Sequence, residues 1–176
     1  NCSGTSGSPT AVDEASLSGN DVTFSDTGGD GYCELDAAVS ADSVVINSGV
    51  VLTHPQGNTT GVNISATGNI TVTGDINTNV KGYTGGTGPG TGTSCCGAGG
   101  SGYGGRGANA RENTGCAGGP TYGSPTQPVD PGSGGVDDTC TSPWRPDTVA
   151  GGGVIKLVAS GTLTIDGDVS SNGGSN

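Results

Sequence analysis

Residues 68–79, "GNITVTGDINTN", return near the end of the chain as "GTLTIDGDVSSN", residues 161–172. The match extends backwards: Val62, Ile64, Ala66 and Gly68 correspond to Ile155, Leu157, Ala159 and Gly161. It continues with Ile70, Val72, Gly74, Asp75, Ile76 and Asn79 against Leu163, Ile165, Gly167, Asp168, Val169 and Asn172. The offset is 93 throughout (155 − 62, and 172 − 79). A constant offset that sets apolar against apolar and glycine against glycine marks a structural repeat. Within each copy the apolar residues alternate with Asn, Ser, Thr and Asp, the period of a strand with one buried face. Glycines stand between the short runs, where the chain must bend.

A looser third copy lies upstream in "SVVINSGVVLT", residues 43–53, with Ile46 standing 18 residues before Ile64 and Leu52 standing 20 before Val72. Short strands with Gly or Asn corners, recurring after about 20 residues, predict a right-handed parallel β-solenoid of few coils. In that coil Ile46, Ile64 and Leu157 are expected to stack in one column, and Leu52, Val72 and Ile165 in another. A β-sandwich or jelly roll accommodates the alternation but not an in-register repeat.

Composition agrees with thin aliphatic columns rather than a thick core. Only 29% of the 176 residues are apolar and 3% aromatic, while glycine fills 38 positions, a composition that also permits partial disorder. The formal net charge of −11 repels nucleic acid, anionic membranes and polyanionic substrates, and no basic patch offsets it. No apolar run approaches the roughly 18 residues of a membrane span. No signal-peptide pattern opens the chain, so a secreted protein is expected to be in mature form here.

Six cysteines, no methionine and abundant Ser, Thr and Asn predict an extracellular, disulfide-bonded protein. One arrangement joins Cys2 to Cys33, tying down the N-terminal segment, and pairs Cys95, Cys96, Cys116 and Cys140 among themselves. The adjacent Cys95 and Cys96 then reach different partners. Zinc is the competing use, but CxxC spacing is missing and the one histidine, His54, is remote.

The chain divides into an N-terminal arm (1–20), first coils with a cap (21–81), a Gly/Pro/Cys-rich excursion (82–153) and a returning coil (154–176), one domain in all. A weak strand is expected near Ala11–Leu17 and another at Val22–Phe24, with an amphipathic stretch through Leu35, Ala38 and Val39 capping the first coil. The excursion holds 23 of the 38 glycines, so the repeated phrases read as successive rungs separated by a long insertion. Such an insertion costs little closure entropy. Disulfides would hold it in place of a core of its own. Tyr83, Tyr103, Tyr122 and Trp144 lie within it. They either cover the solenoid flank or form a surface that contacts a glycan or a neighbour.

The stretches "GNITVTGDINTNVKGYTGGTGPG" and "GGGVIKLVASGTLTIDGDVSSNGG" resemble the Gly-rich parallel β-helix regions of large secreted or surface-anchored microbial proteins. There a phrase of the type GxLTIxGxIxxNGG alternates with glycine-rich loops. The resemblance covers residues 43–90 and 150–176. "DGYCELDAAV", residues 30–39, is similar to the Cys-x-Leu-x-x-Ala segment that opens some surface β-helix adhesin repeats, although those carry a basic residue at the position of Asp36. The resemblance implies a stalk, adhesin or matrix component and supplies no catalytic residues.

Parallel β-helices also host polysaccharide-acting enzymes, and glycoside hydrolysis needs two carboxyls about 5–10 Å apart. Asp75 and Asp168 occupy equivalent positions with Asp166 close by, but a Gly-Asp dipeptide recurring with the repeat is the mark of a corner turn. A Ser/His/Asp relay would have to use His54, which has no motif around it. Asp26 and Asp30 in "DTGGDG", with Asp130, Asp137 and Asp138 in the excursion, offer oxygen ligands for calcium without EF-hand spacing. The alternative use of that acidity is solubility. Asn1, Asn58, Asn63 and Asn69 open Asn-x-Ser/Thr sequons. Strand alternation turns Asn63 and Asn69 outward, open to glycans in a glycosylating host.

The expectation is a non-enzymatic extracellular structural protein whose partners are copies of itself, stacked head to tail into a filament, with the N-terminal arm lying across the neighbour as an added strand. Two alternatives stand: a carbohydrate-binding adhesin module of a longer surface protein, and a β-helix enzyme acting on polysaccharide.

Overall fold

The structure is a computed structural model that describes residues 2, 4–13, 17, 19–110, 115–137 and 148–175. It forms two compact units. The first comprises Asn1–Pro55, Thr60–Thr78 and Ile155–Ser170; the second comprises Gln56–Thr59, Asn79–Val154 and Ser171–Asn176.

The first unit is an all-β parallel solenoid. Its strands are β1 (Thr10–Ala11), β2 (Asp21–Phe24), β3 (Tyr32–Glu34), β4 (Val39–Ala41), β5 (Ser43–Ile46), β6 (Val51–Thr53), β7 (Val62–Ala66), β8 (Ile70–Val72), β9 (Asp75–Asn77), β10 (Ile155–Ala159), β11 (Leu163–Ile165) and β12 (Val169–Ser170). They form three sheets, in the orders β1-β3-β6-β9-β12, β4-β7-β10 and β2-β5-β8-β11, and every strand pair is parallel. From β4 onward the chain visits the three sides in turn, so each of the circuits β4–β6, β7–β9 and β10–β12 lays one strand on each sheet.

The 93-residue offset appears directly as strand pairing. Val62 lies against Ile155, Ile64 against Leu157, Ile70 against Leu163, Val72 against Ile165 and Ile76 against Val169. The upstream copy is shifted by one side from its expected alignment. Ile46 stacks on Val72 rather than Ile64, and Leu52 on Ile76 rather than Val72. All three sides carry the same alternation of aliphatic and polar residues, so alternation alone does not say which side a strand occupies. The stretch through Leu35 and Val39 is likewise part of a coil and not a cap, since Val39 opens β4 and pairs with Ile64.

Alternation sends one set of side chains inward. Leu35, Val44, Ile46, Leu52, Ile64, Ile70, Val72 and Ile76 are fully buried, each worth about 1.5–3 kcal/mol relative to an exposed side chain. At the corners backbone stacks on backbone, which explains the glycines. A Cβ on Gly74 would lie 2.5 Å from the Val50 carbonyl oxygen, and one on Gly167 would overlap the Gly74 carbonyl.

The arm is folded onto its own coil, contrary to its expected place on a neighbour. β1 pairs with β3, Cys2 N–H donates to Ser25 O (2.8 Å) and Gly19 N–H to Ser40 O (3.2 Å). A Cys2–Cys33 disulfide fixes it there, with Val12 and Leu17 packed against the core.

In the second unit no strand is assigned among the described residues. Extended glycine-rich segments bond backbone to backbone in triangles. Gly82 N–H donates to Gly151 O, Tyr83 N–H to Gly132 O and Gly132 N–H to Gly152 O, at 2.8–3.0 Å. Gly100 N–H donates to Ala108 O, Gly107 N–H to Gly119 O and Gly119 N–H to Gly100 O, also at 2.8–3.0 Å. Three backbones that all touch one another leave no room for side chains, the reason glycine recurs at the axis of a collagen triple helix. A Cβ on Gly107 would overlap Gly100 O, one on Gly118 Gly107 O, and one on Gly119 Gly90 O. The excursion therefore has an organised interior made of peptide groups, where a stapled loop without a core was expected.

Candidate functional site at the open rung

The two ends of the solenoid differ. At the N-terminal end the inward residues Val22, Phe24 and Val39 are 5%, 3% and 1% exposed. At the other end, Leu163, Ile165 and Val169 point along the same inward columns but are 42%, 46% and 41% exposed. Their partners one rung below, Ile70, Val72 and Ile76, are at 0%. β10, β11 and β12 are edge strands of their three sheets, so this rung presents aliphatic side chains ringed by parallel strand edges. Unpaired edges of this kind are templates for further pairing.

Corner side chains link each of the last rungs to the next. Asn69 Oδ1 accepts the Thr162 N–H (2.8 Å) and Asp75 Oδ1 the Asp168 N–H (3.0 Å). In the second unit Asn79 Oδ1 accepts the Asn172 N–H across the same 93 residues (2.6 Å). The Asp75 carboxylate is thus occupied with the backbone of the following rung, the corner role that the repeated Gly-Asp dipeptide suggested. Asp166 and Asp168 are exposed. His54 is fully buried and its Nδ1–H donates to Pro55 O at 2.8 Å.

The remaining sequence candidates are dispersed. Asp26 Oδ1 accepts N–H groups of Gly28 (2.9 Å) and Gly29 (3.2 Å), and these bonds hold its carboxyl below the usual carboxylate value. Among the described residues no three His, Cys, Asp or Glu side chains gather to hold a metal; Asp30 and Asp130 are exposed, Asp137 is half-buried, and Asp138 lies outside the described residues. Cys95 is joined to Cys116, Cys96 is also disulfide-bonded, and Cys140 lies outside the described residues. Of the sequons, Asn58 and Asn63 are half-buried and Asn69 is exposed, while Asn1 is outside.

Tyr83, Tyr103 and Tyr122 are half-buried within the glycine-rich unit. Tyr103 and Tyr122 meet edge to face, with centroids 4.9 Å apart and planes at 76°, so they do not present a flat stacking surface. Tyr122 donates its hydroxyl hydrogen to Pro131 O at 2.6 Å, and burial pushes its pKa up, partly offset by hydrogen bonding to Ser133. Trp144 lies outside the described residues. No helix among the described residues is long and apolar enough to cross a membrane.

The sequence placed Leu163, Ile165 and Val169 on inward columns, and the exposure of each is a property of the folded rung. No protein-family model matches the chain, and no curated protein or solved structure shows significant similarity to it.

Proposed function

We propose that this protein is a non-enzymatic structural subunit of an extracellular fibre, a right-handed parallel solenoid that stacks head to tail with copies of itself. The observation that carries the reading is the rung of β10, β11 and β12, where three inward aliphatic residues are 41–46% exposed beside strand edges. The β2-β5-β8-β11 sheet also ends on an edge strand, β2, at the opposite pole, and all its strands run parallel, which is the sense an end-to-end stack requires. A heterologous contact that does not close generates a filament. The right hand is the one parallel crossover connections overwhelmingly take. Disulfides at Cys2–Cys33 and Cys95–Cys116 favour an oxidising compartment. The microbial surface β-helix regions that the sequence resembles are the setting this reading fits.

Each copy carries a formal charge of −11, so stacking is opposed at low ionic strength and eased when the Debye length falls to about 8 Å near 0.15 M salt. Negative-stain electron microscopy of the native protein at several concentrations and salt levels tests the proposal. The expected result is unbranched filaments whose length grows with both. Dispersed particles at every concentration would end it.

A further inference from the structure

We infer that the outer face of β4, β7 and β10 carries a binding groove for a neutral glycan chain lying along the solenoid axis. The groove is on the side of the first unit, so the inference stands apart from any contact between copies.

An open recess of about 370 Å³ lies on this face, lined chiefly by Ser40, Asp42, Ser65, Thr67, Val158 and Ser160. That volume is within the roughly 300–1,000 Å³ of sites that hold small ligands. Ser40, Ser65 and Val158 stand opposite one another on the three strands and point outward, since Ala41 and Ala66 beside them are buried. Asp42, Thr67 and Ser160 each follow one position past the Ala41–Ala66–Ala159 alignment. Thr67 N–H donates to Ala41 O (3.1 Å) and Ser160 N–H to Ala66 O (3.0 Å), which keeps this second row in step. Both rows cross the strands and so run along the solenoid axis, over about two strand spacings or roughly 10 Å. A wall with alanine inside and serine outside is thin, and the missing side-chain bulk is the recess.

The lining chemistry selects the ligand. A hydroxyl both donates and accepts, while a carboxylate only accepts. Among the described residues no hydrogen bond engages the side chains of Ser40, Ser65 or Ser160, and Asp42 Oδ1 accepts the Thr67 hydroxyl at 3.4 Å. Val158 adds an exposed aliphatic surface among these polar groups. Hydroxyls repeating at strand spacing beside an aliphatic surface match a pyranose chain, in which every residue carries both hydroxyls and a C–H face. No cation or aromatic ring lines the recess; Lys156 lies opposite Asn63 on the same face but outside it. With Asp42 within and a formal charge of −11 overall, an anionic polysaccharide is repelled.

Saturation-transfer NMR on the full-length protein tests the groove, because it reads weak ligands on single molecules and on filaments alike. The probes are cellotetraose, mannotetraose and N-acetylchitotetraose, with tetragalacturonate as the anionic comparison. The expected result is transfer to at least one neutral probe, with a Kd on the order of 1 mM, and none to tetragalacturonate. Ser65→Ile fills the centre of the groove with a residue that suits a strand and is expected to weaken binding at least about tenfold. Val158→Asp, at an exposed position, is expected to do the same. Thr71→Ile makes a similar change at an outward position of the β2-β5-β8-β11 sheet and is expected to leave binding intact. Absence of transfer to all three neutral probes, equal transfer to tetragalacturonate, or binding that survives both Ser65→Ile and Val158→Asp would overturn the inference. Equal loss in Thr71→Ile would place the contact elsewhere and overturn it too. None of these readouts depends on whether filaments form, so failure here and failure of the fibre reading are separate results.

Discussion

Truncating the same inward column at two heights measures how open the last rung is. Ile70 and Leu163 are direct partners in adjacent rungs, and changing either to alanine deletes the same number of carbons. Ile70 is 0% exposed and Leu163 42% exposed. Removing three buried carbons costs about 2.4 kcal/mol of transfer free energy at ~0.8 each, and a cavity raises the total into the ~2–5 kcal/mol range. For Leu163 only the covered fraction counts (1 − 0.42 = 0.58), about 1.4 kcal/mol, with no enclosed cavity because the space opens to water. Urea unfolding at a concentration too low for assembly should therefore show Ile70→Ala costing about twice as much as Leu163→Ala, or more. Under assembling conditions Leu163→Ala also loses the remaining 0.42 of the transfer term. That is about 1 kcal/mol per junction, or roughly a fivefold rise in critical concentration. Equal destabilisation by the two variants in dilute solution would mean that the rung is already covered, and the open-end argument would fall. An unchanged critical concentration would take Leu163 out of the contact.

The glycine-rich unit makes a steric prediction: Gly107→Ala, whose Cβ would overlap Gly100 O, should open that unit to protease, whereas Gly104→Ala, with nothing within 4 Å of the added Cβ, should leave cleavage unchanged or slower. Tyr122→Phe removes the hydroxyl bond to Pro131 and should cost about 1 kcal/mol in thermal unfolding. Because burial raises the Tyr122 pKa in the folded state, its contribution should persist below the unfolded value near 10 and be lost as pH rises through the raised folded value. An absorbance titration that finds no tyrosine ionising above the ordinary range would contradict that assignment.

The acidic candidates show why part of the site was not legible in the sequence. Asp26, proposed as an ion ligand, instead closes a turn by accepting two backbone N–H groups. Asp75 accepts the N–H of Asp168, a residue 93 positions away. A carboxylate looks the same in sequence whether it awaits an ion or already holds a peptide group, and only the position of neighbouring N–H groups separates the two. The tyrosines are similar: composition located them in the excursion, but their edge-to-face packing depends on how glycine segments distant in sequence come together.

The sequence by itself determined the parallel solenoid and the residue-by-residue stacking of 62–76 on 155–169. Those rungs have equal sides and glycine corners at matching positions, so a single offset satisfies every inward column at once. Only the tertiary structure decided which side the 43–53 strands occupy. Their intervening corner spans residues 47–50 where the next rung uses 73–74, so the offset changes between sides while the alternation does not. Only the structure, too, revealed the interior of the glycine-rich unit. Its cohesion lies in peptide-to-peptide hydrogen bonds between segments with no side-chain period, and identical backbones leave no pairing code in the sequence.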